Sequence, residues 1–517
     1  MTVAAVPDPL TQPVERARLQ DAQPPSLLSL GSVQEQKKKI LLVTSEMAGL
    51  VKTGGLGDVS AALPRALRDL HDVRVLLPGY PQVLDSGNHI RVVGEVPGQA
   101  AIPAARIGRI DMDDGLIVYV VICAELYERP GNPYVDPQGN EWADSHIRFA
   151  RLSLAAADIA AGNASIRWSP ELVHANDWQT GLTPAYMRWR GQNTPCVFTI
   201  HNLAYQGLLD MHRSPELGIP GHACQMEGME LHGRLSLLKA GIAYADRVTT
   251  VSATYAREIT TPEFGCGLEG FLASKAAAGK LSGIPNGIDD SWEPESDPHL
   301  SQPFAMHDWQ ARDANTAEVR RLFGLRPSSG PLFAVVSRLV YQKGLDLTLG
   351  VVEDIVAGGG QLVITGCGEP QIEEAVRALQ DRYPGEVGVR VGFDETEARR
   401  MYAGSDFLLM PSRYEPCGLS QMYAQRYGSL PIARRTGGLA DTIEDGLTGF
   451  LFEGSRLENY RGAIARALEV FAAPELFSAM RCRAMSAPCY WHQSIEPYAE
   501  LYMGLIEARS GSQQLQR

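Results

Sequence analysis

The sequence has no Cys-x-x-Cys pair: its eight cysteines, Cys123, Cys196, Cys224, Cys266, Cys367, Cys417, Cys482 and Cys489, are scattered along the chain. That pattern offers no metal framework and suits reduced thiols in a cytoplasm. No apolar run approaches the length of a membrane span, so no helical anchor is expected. Met1 to Asp8 lack a basic stretch followed by an apolar core, so no secretory leader is expected and the location is read as cytoplasmic. An excess of positive charge is missing as well. The formal net charge is -13, which argues against nucleic acid or an anionic membrane as the main partner but leaves room for a local basic pocket.

What is present is ordinary for a globular protein: 44% hydrophobic and 21% charged residues in 517. A chain of that length exceeds one core, so two or more domains are expected. It is organised around Lys52-Thr53-Gly54-Gly55-Leu56-Gly57-Asp58. An apolar run, Ile40 to Ser45, predicts a buried strand before this loop, and Val59 to Leu67 predicts a helix after it. Strand, glycine loop and helix would present backbone N–H groups at a positive helix end, suited to a diphosphate, with Lys52 adding a full charge. A tight turn made by three glycines explains the same residues. The loop has neither the P-loop nor the dinucleotide spacing.

Residues 1 to about 36 are rich in Pro, Gln and Ser and read as a disordered lead-in. From Lys37 a first domain is expected to run to about 290. Strands are predicted at Val73–Pro78 and Leu116–Ile122, and the region around 90 to 110 reads as small strands or an excursion. Asp144 opens a helical pattern reaching Ala160 and is explained most simply as its N-cap. Leu172 to Gly181 is a strand running into Asn176-Asp177-Trp178-Gln179, and Cys196 to Asn202 repeats the design with His201 and Asn202. Polar residues just past strand ends are where open α/β sheets bind ligands. Pro, Glu, Ser and Asp residues from 291 to 303 mark a boundary.

A second α/β pattern starts at Leu332 to Ser337 and ends in Arg338, with Lys343 close behind. Forked Arg and point-charge Lys would embrace one diphosphate; two solvated surface cations are the simpler alternative. Phe407 to Ser412 leads into Arg413-Tyr414-Glu415-Pro416-Cys417-Gly418-Leu419. Glu415 in this turn would accept from sugar hydroxyls or cap the following helix. Thr436-Gly437-Gly438 is a second glycine loop entering a helix, again ready for an anion. Two doubly wound domains facing each other would leave a deep cleft.

These motifs occur in an order that closely resembles the bacterial glycogen synthase and plant starch synthase family. They are Lys52 to Asp58, Asn176-Asp177-Trp178, Thr199 to Gly207, Ser337-Arg338 with Gln342-Lys343-Gly344, Pro411 to Leu419, and Arg435 to Thr442; the match runs from about 38 to about 505. The resemblance implies the two-domain GT-B fold, two Rossmann-like domains with a catalytic cleft between them. It implies a second domain over about 291–490 and a terminal helix over 491–517 that crosses back to the first domain and ends in a frayed tail. It implies glucose transfer from ADP-glucose to glycogen or a malto-oligosaccharide, with retention, no cofactor and no metal. By the same resemblance, Lys52 and the Gly54-Gly55 backbone face the donor phosphates. Arg338 and Lys343 neutralise the leaving diphosphate, Glu415 with the Cys417-Gly418 backbone holds the donor glucose, and Asp144 lies near sugar and acceptor. Asp58, Gln179, His201, Asn202, Thr436, Gly437 and Gly438 join the substrate-binding set, and a homo-oligomer is allowed.

The sequence departs from the family pattern in three places. Gln179 stands where many relatives carry histidine; it exchanges hydrogen bonds but carries no proton charge. Glu369 replaces the usual Asp, and the stretch between Thr442 and Gly449 is short. A non-catalytic glucan-binding scaffold and a UDP-sugar transferase are the rival readings. The diphosphate clamp argues against the scaffold. A nicotinamide dehydrogenase is disfavoured by the lack of its fingerprint in either half.

Overall fold

The computed structural model describes residues 37–487 and 490–514. The expected lead-in at 1–36, Cys489 and the last three residues of the tail lie outside the described residues.

The first sheet takes β1 (Lys38–Val43), β2 (His71–Pro78), β3 (Arg91–Val96), β4 (Ala105–Asp111), β5 (Ile117–Ile122), β6 (Leu172–Asn176) and β7 (Cys196–Ile200). A small separate sheet follows: β8 (Leu208–Asp210), β9 (Glu230–Leu231) and β10 (Arg234–Ser236). The strands β11 (Arg247–Thr250) and β12 (Leu281–Gly283) then complete the first sheet, in the order β12-β11-β7-β6-β1-β2-β5-β4-β3. The second sheet uses β13 (Leu332–Val336), β14 (Gln361–Gly366), β15 (Val387–Val391), β16 (Phe407–Met410), β17 (Leu430–Arg434) and β18 (Phe450–Phe452). Its order is β15-β14-β13-β16-β17-β18, parallel throughout. This is the doubly wound α/β class expected from the sequence.

Runs of Val, Ile, Leu and Phe make these strands because both faces are covered. In β13 the period-2 alternation divides the residues between two cores. Leu332, Ala334 and Val336 pack on one face, Phe333 and Val335 on the other. The ambiguous region at 90 to 110 forms β3 and β4, an antiparallel pair added to β5. Its outermost strand exposes Arg91, Val92 and Glu95, and charge on an edge discourages pairing with another chain.

Each sheet reverses winding direction at its first strand. β1 lies between β6 and β2, and β13 between β14 and β16. Loops after β1, β6 and β7, and after β13, β16 and β17, therefore gather at switch points, where such sheets hold ligands. The helix Glu496–Gln514 returns to the first sheet and buries Tyr498, Tyr502 and Ile506 in its core. Tyr502 Oη lies 2.7 Å from His174 Nδ1, and His174 Nε2 lies 2.6 Å from Thr199 Oγ1. Among the described residues no helix is long and apolar enough to cross a membrane.

Candidate active site

The glycine loop is shorter than its sequence implies. The helix begins at Gly55, not Val59, and runs to Leu67, so Gly55 to Asp58 are its first turn. The loop is tied down from beneath by Glu46, a buried carboxylate that sequence reasoning missed. Glu46 Oε2 accepts from the N–H groups of Thr53 at 2.5 Å and Gly54 at 3.0 Å. Its Oε1 accepts from Tyr134 Oη, which also lies 3.0 Å from Ser45 Oγ. Burial raises the pKa of Glu46, and these bonds partly offset it. The expectation of free loop amides is thus corrected at Thr53 and Gly54: a protein carboxylate takes them.

The glycines remain open to an approaching ligand. A Cβ at Gly54 would meet nothing within 4 Å, and one at Gly55 would meet only Leu419 Cδ1, at 3.7 Å, from the second domain. Lys52 Nζ sits 2.7 Å from Asp58 Oδ1 and 4.0 Å from Glu395 Oε2, again of the second domain. Asp58 therefore orients Lys52 and offsets part of its charge. Burial raises the pKa of Asp58, with Lys52 pulling the other way.

Next to this loop, the ends of β6 and β7 are held together by Asp177. Its backbone is left-handed, at φ 61°. Its Oδ1 accepts from the N–H groups of His201 at 3.2 Å and Asn202 at 3.5 Å. A non-glycine residue in this region is strained and persists only when its surroundings hold it there. Burial pushes the Asp177 carboxyl up to about 7. The sign follows: between the ordinary carboxylate range and about pH 7 the folded protein binds more protons than the unfolded one, so this group's contribution to stability is lost as pH rises through that window. Asp177→Asn is expected to remove that loss. Thermal melts of both proteins from pH 4 to 8 should show wild type falling relative to the variant up to about pH 7 and a constant difference above it.

His201 Nε2 lies 3.0 Å from Asn176 Oδ1, and burial pushes the imidazole down to about 3, so it stays neutral. A neutral ring facing an amide oxygen through Nε2 is a donor there. Gln179, the departure from the family pattern, lies in the short turn Trp178–Thr180 and is only 4% exposed. Its Oε1 is buried with no hydrogen-bond partner among the described residues.

Asp144 occupies the position before the helix Ser145–Ala160 but makes no side-chain cap. The N-cap expectation is corrected. Its carboxylate instead receives both guanidinium nitrogens of Arg129, at 3.0 and 2.8 Å. A forked ion pair outcompetes a single cap bond.

In the second domain, Arg338 projects past β13, exposed. It donates to Tyr205 Oη at 3.3 Å and to Gln342 Oε1 at 3.4 Å. Lys343 Nζ donates to Glu415 Oε2 at 2.5 Å, and Ser412 Oγ donates to the same oxygen at 3.0 Å. Glu415 is 6% exposed. It does not cap the following helix, Ser420–Arg426, whose preceding residue is Leu419. Cys417 is buried, which pushes its thiol up to about 12. Gly418 has φ 72°, and a Cβ there would stand 2.4 Å from Gln421 Oε1.

The second glycine loop is filled from within the protein. Gly437 N–H donates to Glu258, 3.0 Å from Oε1 and 3.1 Å from Oε2, and Thr436 Oγ1 donates to Oε1 at 2.9 Å. Gly438 N–H donates to the Glu415 carbonyl at 3.0 Å. Cβ atoms at Gly437 and Gly438 would lie 1.9 Å from Glu415 O and 2.0 Å from Cys417 O, so both glycines are demanded by close packing. The expectation of an empty anion cradle at Thr436-Gly437-Gly438 is corrected: the anion is Glu258.

The structure thus gathers Lys343, Glu415, Ser412 and the second glycine loop into one cluster and brings Lys52 with Gly55 to the second domain. Sequence reasoning missed Glu46, Tyr134, Tyr205 and Glu258. Glu46 carried a usable signal, being the next residue after a predicted strand end, and Tyr205 lies within the Thr199 to Gly207 motif; Tyr134 and Glu258 are placed by tertiary structure. The expected absence of the dinucleotide spacing is corrected at Gly265-Cys266-Gly267-Leu268-Glu269-Gly270, but this stretch follows the helix Ala253–Glu258 and runs into the helix Glu269–Ala277 with no strand before it, so it is no dinucleotide loop.

The starch synthase catalytic domain model matches residues 39–274, and the model for glycosyl transferases group 1 matches 321–475. Glycogen synthase of Pseudomonas fluorescens (strain Pf0-1) is 66% identical over 482 residues, covering 93% of this chain and 99% of that protein. The chain belongs to the glycogen synthase family. Glycogen synthase of Pseudomonas aeruginosa PAO1 is 60% identical, covering 93% of this chain and 94% of that one. Among solved structures, the catalytic domain of starch synthase IV from Arabidopsis thaliana, bound to ADP and acarbose, superposes with a TM-score of 0.80 at 31% identity. It covers 91% of this chain and 100% of that one. A sucrose-phosphate synthase from Thermosynechococcus elongatus, at 19% identity and a TM-score of 0.58, shares the fold. Family membership makes the chain a glycosyltransferase and identifies the two sheets as the halves of a GT-B fold.

Proposed function

We propose that this enzyme transfers glucose from ADP-glucose to the 4-hydroxyl at the non-reducing end of an α-1,4-glucan, glycogen or a malto-oligosaccharide, with retention at the anomeric carbon. The observation that carries the reading is the Lys343–Glu415 pair, its carboxylate buried, at the second sheet's switch point. It sets an ammonium ready for a leaving diphosphate beside a carboxylate ready for sugar hydroxyls. ADP in the Arabidopsis neighbour supports the nucleotide, and its acarbose supports a glucan-like acceptor.

The chemistry follows from charge. Cleaving the bond between the anomeric carbon and the phosphate oxygen builds negative charge on the diphosphate and positive charge on the sugar ring. When donor enters, Lys343 exchanges Glu415 for phosphate, and Arg338 joins it. Lys52 and the Gly55 backbone approach the phosphates from the first domain, the Gly54 amide being held by Glu46. Such fixed charges act strongly where water is excluded. Glu415, released, accepts from glucose hydroxyls beside the Cys417-Gly418 backbone. The departing phosphate takes the acceptor's hydroxyl proton as the new glycosidic bond forms on the same face. His201, neutral, and Asn202 supply hydrogen bonds to the sugar, and Asp144, fixed by Arg129, stands toward the acceptor. Asp58 orients Lys52. Thr436, Gly437 and Gly438 shape the site through Glu415 instead of binding phosphate with their own amides, and Gln179 packs the turn that presents Asp177.

The anomeric configuration of the product tests this reading. Proton NMR of malto-oligosaccharides elongated with ADP-glucose should show new α-1,4 linkages from the first turnovers. A β linkage, or free glucose as the main product, would overturn it.

A further inference from the structure

We propose that Glu258 is a positioning residue that latches the first domain onto the second and, through the Thr436–Gly438 loop, holds Glu415 where transfer requires it. The inference rests on the glucosyl-transfer reading given above.

The helix Ala253–Glu258 lies between β11 and β12 and so belongs to the first sheet. Its polar contacts reach the second domain at both ends. At its start, Ser252 Oγ donates to the Pro416 carbonyl at 2.6 Å. Thr254 donates to Asp441 through its N–H at 2.8 Å and its Oγ1 at 2.5 Å. At its end, Glu258 receives Thr436 Oγ1 and Gly437 N–H on one carboxylate. The contact is relayed at once, because the next amide, Gly438 N–H, donates to the carbonyl of Glu415. No slack exists at this point. The Gly437 α-carbon is pressed so close to Glu415 that a Cβ would fall 1.9 Å from its carbonyl oxygen. Shifting Thr436 and Gly437 therefore shifts the Glu415 backbone, whose side chain holds Lys343.

Charge complementarity fits a latch. A carboxylate is the partner that a hydroxyl and a backbone N–H at a loop–helix junction prefer. Partial burial of Glu258 opposes its charge, and the bonds from Gly437 and Thr436 favour it. A latch formed only between docked domains stabilises the closed state and leaves the open state unaffected, so its loss lowers turnover more than donor binding.

The test compares Glu258→Ala and Glu258→Gln in the full chain, with ADP-glucose varied over glycogen, and records thermal melting and free glucose released. Glu258→Ala is expected to lower kcat by about 10- to 100-fold, the range for losing a charge-assisted hydrogen-bond pair, with donor KM within about threefold. Its share of donor hydrolysis should rise, because a poorly closed cleft admits water. Glu258→Gln, whose amide oxygen still accepts, should recover most of kcat. In the Ala background, Thr436→Val should cost little more. Unchanged kcat in Glu258→Ala would overturn the latch, and so would tighter donor binding, which would mark Glu258 as a plug in a phosphate site. A loss of kcat tracking a lowered melting temperature and not recovered by Gln would reduce Glu258 to fold stability. If wild type transfers glucose from neither ADP-glucose nor UDP-glucose, the functional reading fails by itself. X-ray scattering then judges the latch alone, with a larger radius of gyration expected for Glu258→Ala and an equal one overturning it.

Discussion

Lys343→Ala is expected to lower kcat/KM for ADP-glucose by roughly 1,000-fold or more while the protein stays folded, a loss at the upper end of that for one transition-state charge partner. Two effects add. On the proposed mechanism the variant lacks the ammonium that meets the leaving diphosphate. It also strands Glu415, 6% exposed, with Ser412 Oγ as its remaining side-chain donor. A buried carboxylate without its cation repels an incoming diphosphate and is itself costly. Because the diphosphate gains charge as the glycosyl bond breaks, kcat should fall more than KM rises. Lys343→Arg should restore only part of the activity, since a planar fork does not fit a pocket that leaves the lysine side chain 17% exposed. Steady-state kinetics with melting curves checks both variants. Near-normal efficiency in Lys343→Ala would remove the diphosphate role.

Asp406→Ala is expected to destabilise the second domain by about 3–5 kcal/mol, the cost of breaking a buried ion pair. Asp406 closes the loop before β16, and its Oδ2 accepts the Leu332 N–H at 2.7 Å, at the start of β13. Its Oδ1 is bonded by Arg481 and lies 3.8 Å from Arg312 Nη1. Both arginines are buried, and burial together with Arg481 pushes the Arg312 guanidinium down to about 9. Removing the Asp406 carboxylate leaves two like charges facing each other away from water. Urea unfolding should show the midpoint falling for Asp406→Ala and less so for Asp406→Asn, which keeps an acceptor for Leu332. An unchanged midpoint would show that the network contributes nothing net.

The contrast between these residues shows what was legible in the sequence. Lys343 and Glu415 follow β13 and β16, whose unbroken apolar runs mark buried parallel strands, so their place at the sheet edge follows from pattern, while a role toward diphosphate and sugar comes from the family resemblance. The doubly wound class follows from the same alternation of strand and helix; the order of the strands around each switch point comes from the structure. Partners distant in sequence do not follow. Glu258 and Thr436 are 178 positions apart, and Tyr134 and Glu46 are 88 apart. A glycine loop that reads as an anion cradle takes any carboxylate the fold delivers, and here the protein delivers its own. Asp144 illustrates the local limit: its position predicts a cap, but Arg129 fifteen residues earlier claims the carboxylate. The strands at 91 to 111 were ambiguous because an exposed edge carries charge where a central strand carries β-branched residues.

The most direct test of the central claim is glucose transfer from ADP-glucose onto glycogen, with UDP-glucose in parallel and no metal added. ADP-glucose-dependent chain growth is expected, with Gln179 in place. Growth with UDP-glucose alone would contradict the donor assignment. No transfer from either donor, by folded protein that binds glucan, would contradict the enzyme and leave a glucan-binding scaffold.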